Sequence, residues 1–456
     1  MTERDFDAIV VGAGPAGEVA AGRLAEKGQH VALVERELIG GECSFYACMP
    51  SKALLRPAQA LAEARRVAGA AEAATGTLDV GAVLRRRDEI VHELDDSAQL
   101  PWVEDRGITL VRGHARLEGE RAVRVGDELL RATKAVVLAP GSIAAIPPID
   151  GLREAKPWTN REVTTASAIP SSLLVLGGGV VGVEMAQAYA SLGASVTIVE
   201  AGERLIAGEE PFASEQVGDA LKEAGVEVVV GVKATAVRRE AQGPVTLELE
   251  DGRTFTAEEL LVAVGRHPNT DDLGLERLGL EPGKTIAVDD TMRVPAHDWL
   301  YVVGDANGRV LLTHMGKYQA RIAVQHILGG ELELRSDGRL SPRVIFTEPQ
   351  VAAVGYTLSG AEDAGLKVRA VDRPTGGNAG GSFVGHDAPG TTRIVVDEDR
   401  GVIVGATITG VDVSEFLHAA TIAVVGEIPI ERLWHAVPCF PTRSEVWLRL
   451  LEEYGC

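Results

Sequence analysis

Two cysteines, Cys43 and Cys48, lie five positions apart in the run Gly40-Gly41-Glu42-Cys43-Ser44-Phe45-Tyr46-Ala47-Cys48-Met49-Pro50-Ser51-Lys52. A pair this close can cycle between disulfide and dithiol, taking up two electrons and passing them on through a nucleophilic thiolate. The plain alternative is two ordinary buried cysteines. Thiols are otherwise scarce, with four cysteines in 456 residues, and such a count makes no framework of a secreted protein. In a reducing compartment the close pair reads as catalytic.

The pair follows a nucleotide-binding pattern. The buried strand Ala8-Ile9-Val10-Val11 leads into Gly12-Ala13-Gly14-Pro15-Ala16-Gly17, a helix through Lys27, and the strand Val31-Ala32-Leu33-Val34 ending at Glu35. Gly12 permits the tight turn, Gly14 lets the backbone approach a pyrophosphate, and Gly17 lets helix and strand pack closely. The pyrophosphate would sit on the helix N-terminus, and Glu35 would accept hydrogen bonds from a ribose.

The pattern then repeats. Leu173-Leu174-Val175-Leu176 precedes Gly177-Gly178-Gly179-Val180-Val181-Gly182, and the strand Val196-Thr197-Ile198-Val199 ends at Glu200. Last glycine and acid are 18 residues apart in both copies (35 − 17 and 200 − 182). Two such sites imply two nucleotides, and a flavin with a nicotinamide is the natural pair for shuttling two electrons. The cysteines then lie where a flavin ring would lie. Glu200 suits both ribose hydroxyls of NAD and would repel a 2′-phosphate, with only Arg204 close downstream, so NAD(H) is favoured over NADP(H).

The cysteine run resembles the active-site signature of the class I pyridine nucleotide–disulfide oxidoreductases, Gly-Gly-x-Cys-x4-Cys-x-Pro-Ser/Thr-Lys, and meets every fixed position. That family includes dihydrolipoamide dehydrogenases, glutathione reductases and mercuric reductases, and the resemblance covers nearly the whole chain. It implies that Cys43 is the interchange thiol facing the acceptor and Cys48 the thiol beside the flavin. It implies FAD in the first site and the nicotinamide in the second. It pairs Lys52 with Glu184 near the reactive flavin nitrogen. It identifies Ala135–Ser142, with Gly141, and Leu261–Thr270, with Gly265, as the exit turns of the two nucleotide domains, and Asp305 of Tyr301-Val302-Val303-Gly304-Asp305 as the holder of the FAD ribityl chain. Leu312-Thr313-His314 fits the following FAD-contacting helix. Phe45, Tyr46 and Ala47 are bulkier than the usual residues between the cysteines.

The C-terminal stretch departs from the family. Its pattern is His-Pro-Thr-x-x-Glu, in which the His is the acid/base for the partner subunit and the Glu orients it. Here the run is Cys439-Phe440-Pro441-Thr442-Arg443-Ser444-Glu445. Glu445 is kept, but Phe440 stands at the His position and cannot move a proton. His435 and Cys439 are the nearest substitutes by sequence. The plain readings are a satisfied structural histidine and a small buried cysteine. The lone Cys456 has no resolving partner nearby.

The expected fold class is α/β, with two Rossmann-like dinucleotide-binding domains and a C-terminal α+β dimerisation domain. The expected boundaries are 1–145 and 271–340 for the FAD-binding domain, 146–270 for the NAD(P)-binding domain and 341–456 for dimerisation. Ala-rich helices are expected near 58–74 and 84–94, with their arginines on solvated faces. A net charge of −21 argues against nucleic acid or an anionic membrane as partner. No apolar stretch is long enough to span a bilayer. The acidic start of the chain is not a signal peptide, so a cytoplasmic location is expected, and the family resemblance implies a homodimer.

The function expected is an FAD-dependent NAD(P)H oxidoreductase that passes electrons through a Cys43–Cys48 disulfide to an acceptor, by default a small disulfide. Phe440 raises a metal ion or quinone as the alternative, or an aprotic site like that of 2-ketopropyl-coenzyme M oxidoreductase/carboxylase. A non-catalytic flavoprotein redox module is the remaining reading.

Overall fold

A computed structural model describes residues 2–241 and 243–456. The chain divides into two interleaved compact units. One comprises 1–50, 88–145 and 266–338; the other comprises 51–87, 146–265 and 339–456.

The first unit is built on a mixed sheet. Thr109–Arg112, Val31–Glu35, Thr2–Val11 and Glu128–Leu138 run parallel in that order, and Leu300–Val302 pairs parallel to Glu128–Leu138. Ala122–Val125 and Ala115–Gly119 extend it antiparallel. Strands covered on both faces need apolar runs rather than alternation, and Ala8–Val11, Val31–Val34 and Ala135–Leu138 are each buried throughout. The helix Pro15–Glu26 lies against the helix Thr313–Ile327, and Ala20, Leu24, Ala320 and Ala323 join one core with the sheet residues Val10, Leu33 and Val137. The two exit turns meet here: Ser142–Ala144 pairs antiparallel with Arg266–Pro268.

The second unit repeats the nucleotide-binding plan. Glu227–Val230, Ser195–Glu200, Ser172–Leu176 and Glu259–Val262 form a parallel sheet. A three-stranded antiparallel sheet (Ala234–Arg239, Val245–Leu249, Thr254–Ala257) accompanies it. The C-terminal part is an antiparallel sheet ordered Arg343–Ile345, Gln350–Gly355, Val402–Gly410, Thr391–Asp397, Val368–Pro374. Helices Leu417–Val425 and Glu445–Tyr454 bury Ala420, Val424, Leu450 and Leu451 against Ile394 and Ile408. Two buried acids bind this sheet to the nucleotide-binding part. Glu209 takes Arg343 at 2.6 and 2.9 Å, and Glu210, 1% exposed, takes Arg393 at 2.9 Å.

The helical expectations need correction. The first helix runs Cys48–Arg66 and the second Val80–Ile90. Alanine content favoured helix through residue 74, but Gly69 turns left-handed (φ 93°), and the Arg65 guanidinium binds the carbonyls of Ala74 and Gly76. The second helix stops because His92, Glu93 and Leu94 all carry positive φ. Arg87 is not on a solvated face. It is 1% exposed and donates to the carbonyls of Thr164 (2.6 Å) and Ala166 (2.8 Å).

Candidate functional site

Cys43 sits in the short helix Gly41–Phe45, and Cys48 opens the helix Cys48–Arg66. Gly40 (φ 111°) and Gly41 (φ 58°) make the turn into the short helix, in a conformation that side chains disfavour. Both sulfurs are free thiols and half-buried. The Cys48 sulfur lies 3.4 Å from the Thr313 hydroxyl, at the first residue of the helix Thr313–Ile327. Its hydrogen bond with Cys48 pushes the Cys43 thiol well above its ordinary value, and burial adds to this; Thr313 and the Lys317 ammonium pull the other way.

The two Gly-rich loops share one construction. A Cβ on Gly12 would lie 2.2 Å from the Ala139 carbonyl, and one on Gly17 would lie 1.8 Å from the Gly12 carbonyl. In the second copy, Gly177 faces the Ala263 carbonyl at 2.5 Å and Gly182 the Gly177 carbonyl at 2.0 Å. Gly14 and Gly179 differ, because a Cβ on either meets no protein atom within 4 Å. Open space before a glycine at a helix N-terminus is what a pyrophosphate needs, so both loops fit a dinucleotide.

Each terminal acid also holds its own loop. Glu35 accepts from Ala13 N and Glu37 N, both at 2.7 Å. Glu200 accepts from Gly178 N at 2.5 Å and Gly202 N at 2.6 Å. A carboxylate has about four acceptor positions, so each retains capacity for ribose hydroxyls. Arg204 bends onto the Ala207 carbonyl at 2.7 Å.

Asp305 follows the strand Leu300–Val302 in a 3-10 turn and accepts from Ser142 Oγ at 2.5 Å. Arg266 donates to Ser142 Oγ and O, both at 2.6 Å, and lies 3.5 Å from the Glu42 carboxylate. Gly141 (φ 70°) and Gly265 (φ 138°) provide the turns beside Ser142 and Arg266. This polar cluster ties the first exit turn to Asp305 and to the residue before Cys43. Its members are scattered along the chain, and no local signal in the sequence revealed it.

Lys52 stands one helical turn beyond Cys48. Its ammonium lies 2.7 Å from Glu184 and 4.6 Å over the Phe346 ring. Glu184 is 3% exposed, and its other oxygen accepts from Phe346 N at 2.9 Å. Glu445 opens the last helix and is 6% exposed, with Oε2 lacking a hydrogen-bond partner among the described residues. Phe440 is 76% exposed, and Trp434 and Val437 near it are exposed as well. His435 and Cys439 are also exposed, which corrects the expectation of a satisfied histidine and a buried cysteine in this single chain. Cys456 is exposed at the end of the same helix.

Residues 6–321 match the family described as pyridine nucleotide-disulphide oxidoreductase, and residues 341–450 match that family's dimerisation domain. The chain belongs to the pyridine nucleotide-disulphide oxidoreductases and is an FAD-dependent NAD(P)H disulfide oxidoreductase. It is 31% identical to a dihydrolipoyl dehydrogenase of Haloferax volcanii over 98% of this chain and 95% of the relative. It is 28% identical to a mercuric reductase of Staphylococcus aureus over 97% of this chain and 81% of the relative. The structure of LpdA from Mycobacterium tuberculosis superposes with a TM-score of 0.86 at 26% identity, covering 100% of both chains. The flavoprotein disulfide reductase RclA from Escherichia coli shares the fold, with a TM-score of 0.86 at 24% identity over 98% of this chain and 99% of that one. No helix among the described residues is long and apolar enough to cross a membrane.

Proposed function

We propose that this chain moves two electrons from NADH, by way of FAD, to the Cys43–Cys48 pair, which then reduces a small disulfide. The observation that carries the reading is the pair itself: two half-buried thiols sharing a hydrogen bond, with Thr313 on Cys48. When bound, FAD takes up a hydride from the nicotinamide and hands the electron pair onward. Gly12, Gly14, Gly17, Glu35, Gly141 and Asp305 hold the FAD, with Lys52, fixed by Glu184, supplying a cation beside its ring. Gly177, Gly179, Gly182, Glu200 and Gly265 hold the nicotinamide nucleotide. Cys43 is the nucleophile toward the acceptor. Cys48 opens a helix, which favours its thiolate.

NADH is favoured over NADPH because Glu200 presents a carboxylate where a 2′-phosphate would lie, and Arg204 is engaged with its own loop. The exposed Trp434, Val437 and Phe440 support a homodimer, since a second copy would cover them. A compartment that keeps thiols reduced, the cytoplasm, suits a pair that must cycle.

Phe440 favours a second reading, in which the acceptor is a metal ion or a quinone and needs no proton from that position. The mercuric reductase likeness is compatible with it. An anaerobic NADH titration tests the circuit. A broad absorbance at longer wavelength than oxidised flavin, reached at two electrons per flavin, is expected; flavin bleaching without it would overturn the reading. Steady-state assays with lipoamide, low-molecular-weight disulfides, Hg(II), Cu(II) and quinones then separate the acceptors. Rapid turnover of a disulfide favours the first reading, and turnover of only metal ions or quinones favours the second.

A further inference from the structure

Asp305, which the reading above gives to FAD, sits in the turn Gly304–Asn307, and that turn rests on a buried amide. Gln319 lies on the helix Thr313–Ile327 and is 0% exposed; Asn307 is 6% exposed. Gln319 Oε1 accepts from Gly304 N at 2.8 Å and from Asn307 Nδ2 at 2.9 Å. Asn307 Nδ2 also donates to the Val302 carbonyl at 3.1 Å, and Asn307 Oδ1 accepts from Arg309 N at 3.0 Å. One oxygen thus holds the first and the last residue of the turn. The helix comes close enough because Gly316, one helical turn before Gln319, has no side chain. A Cβ there would lie 3.2 Å from Ala16 Cβ and 3.3 Å from Gly304 Cα.

The other end of the amide argues against a mere packing role. Two donors meet the same atom of Gln319, which fixes that atom as the oxygen. The nitrogen, Nε2, is then buried with no hydrogen-bond partner among the described residues. Such an N–H is unfavourable, and an unbranched apolar side chain such as methionine would fill the space without it. What the amide adds is an acceptor beneath the turn. Gly304 bends left-handed there (φ 73°), and its N–H has Gln319 as its partner. The Asp305 carboxylate is held separately. Ser142 Oγ donates to its Oδ2 at 2.5 Å, and Ser142 in turn accepts from Arg266.

We propose that Gln319 is a positioning residue for FAD: through Gly304 N and Asn307 it fixes the turn that aims Asp305 at the ribityl chain. The proposal rests on the reading of Asp305 as the acid that holds FAD, and it involves no step of electron transfer. Gln319 acts through the turn, so its effect on FAD must vanish once Asp305 has no carboxylate. Asn307 serves the same turn from within it.

The test is a double-mutant cycle on the FAD dissociation constant. Holoenzyme is diluted, and flavin fluorescence follows the release of FAD. Gln319→Met removes both hydrogen bonds to the turn and is expected to weaken FAD binding about ten-fold. In an Asp305→Ala background the same change is expected to alter binding by less than about two-fold, the scatter of independent sites. Gln319→Glu keeps an acceptor in place and is expected to stay within about two-fold of wild type. Equal losses from Gln319→Met in the two backgrounds overturn the proposal, because a purely structural effect would not depend on Asp305. Unchanged binding in Gln319→Met, or a loss in Gln319→Glu as large as that in Gln319→Met, overturns it too. Circular dichroism reports whether each variant is folded. Should Gln319→Met not fold, Asn307→Ala takes its place in the cycle: a weakening confined to the Asp305 background is expected, and unchanged binding overturns the proposal. Wild-type affinity in Asp305→Ala alone would show instead that the reading of Asp305 is wrong, and the proposal would fall with it.

Discussion

The Thr313 hydroxyl lies 3.4 Å from the Cys48 sulfur across a sequence separation of 265 residues. One end of this contact is the start of a helix after Cys43, and the other is the start of a helix in the last third of the first unit. The contact puts a neutral hydroxyl, able to donate or accept, against the sulfur that the reading above places beside FAD.

Thr313→Ala should therefore weaken the Cys48 thiolate without unfolding the protein. A hydrogen bond of this kind contributes about 0.5–1.5 kcal/mol, and a unit of pKa corresponds to about 1.4 kcal/mol. The expected result is a rise of up to about one unit in the pH at which the long-wavelength band of two-electron-reduced enzyme appears. Thr313→Ser should retain the wild-type value. An unchanged midpoint in Thr313→Ala would show that the contact has no part in holding the thiolate.

The Gly-rich loop separates a structural from a binding effect. Gly12 has φ 96°, and a Cβ there would lie 2.2 Å from a backbone carbonyl, so Gly12→Ala should lower the melting temperature and the yield of folded protein. A Cβ on Gly14 meets only open space, so Gly14→Ala should melt near wild type after FAD is removed, yet bind FAD at least about ten-fold more weakly. Thermal melts of apoprotein and fluorescence titration with FAD check the contrast. Equal FAD affinity in Gly14→Ala and wild type would place the pyrophosphate elsewhere.

Glu18 links stability to pH. Its carboxyl has an ordinary value of 4.5 and rises to about 7 in the fold through burial. Between those values the folded state binds more protons than the unfolded one, so stability from this group falls as pH rises through that window and is level above it. Glu18→Gln should flatten this part of the curve. Urea unfolding of wild type and variant at pH 5, 6, 7 and 8 measures the difference. Parallel curves would mean that the group does not titrate in this range.

The buried pair Arg393–Glu210 offers a test of packing within the second unit. Glu210 is 1% exposed, and the Arg393 side chain is 18% exposed. Removing one partner of a buried ion pair costs about 3–5 kcal/mol, because the other charge is left unpaired. Arg393→Met should approach that loss in denaturant unfolding, whereas Arg393→Met with Glu210→Leu should recover much of it. A single variant within about 0.5 kcal/mol of wild type would contradict the burial of the pair.

Both nucleotide loops, both terminal acids and the cysteine run were legible in the sequence because their chemistry is local. A glycine must stand where a Cβ would strike a carbonyl of the neighbouring strand, an acid must end the strand whose loop it binds, and the two cysteines must lie within one turn-and-helix. Apolar runs identified the buried strands for the same reason, since a strand covered on both faces cannot alternate. Helix limits were less legible. The alanines around residue 70 express a propensity, while left-handed glycine and arginine–carbonyl contacts decide where the helix ends. Arg87 looks like any surface arginine until two distant carbonyls take it into the core. Thr313 carries no motif, and its contact with Cys48 exists only because segments far apart in the chain pack together. The sequence alone determined the two nucleotide-binding units, the close cysteine pair and the phenylalanine that stands where the family has a histidine. The tertiary structure alone decided which hydroxyl meets Cys48 and which carboxylate meets Lys52, because those neighbours are set by packing between segments far apart in the chain.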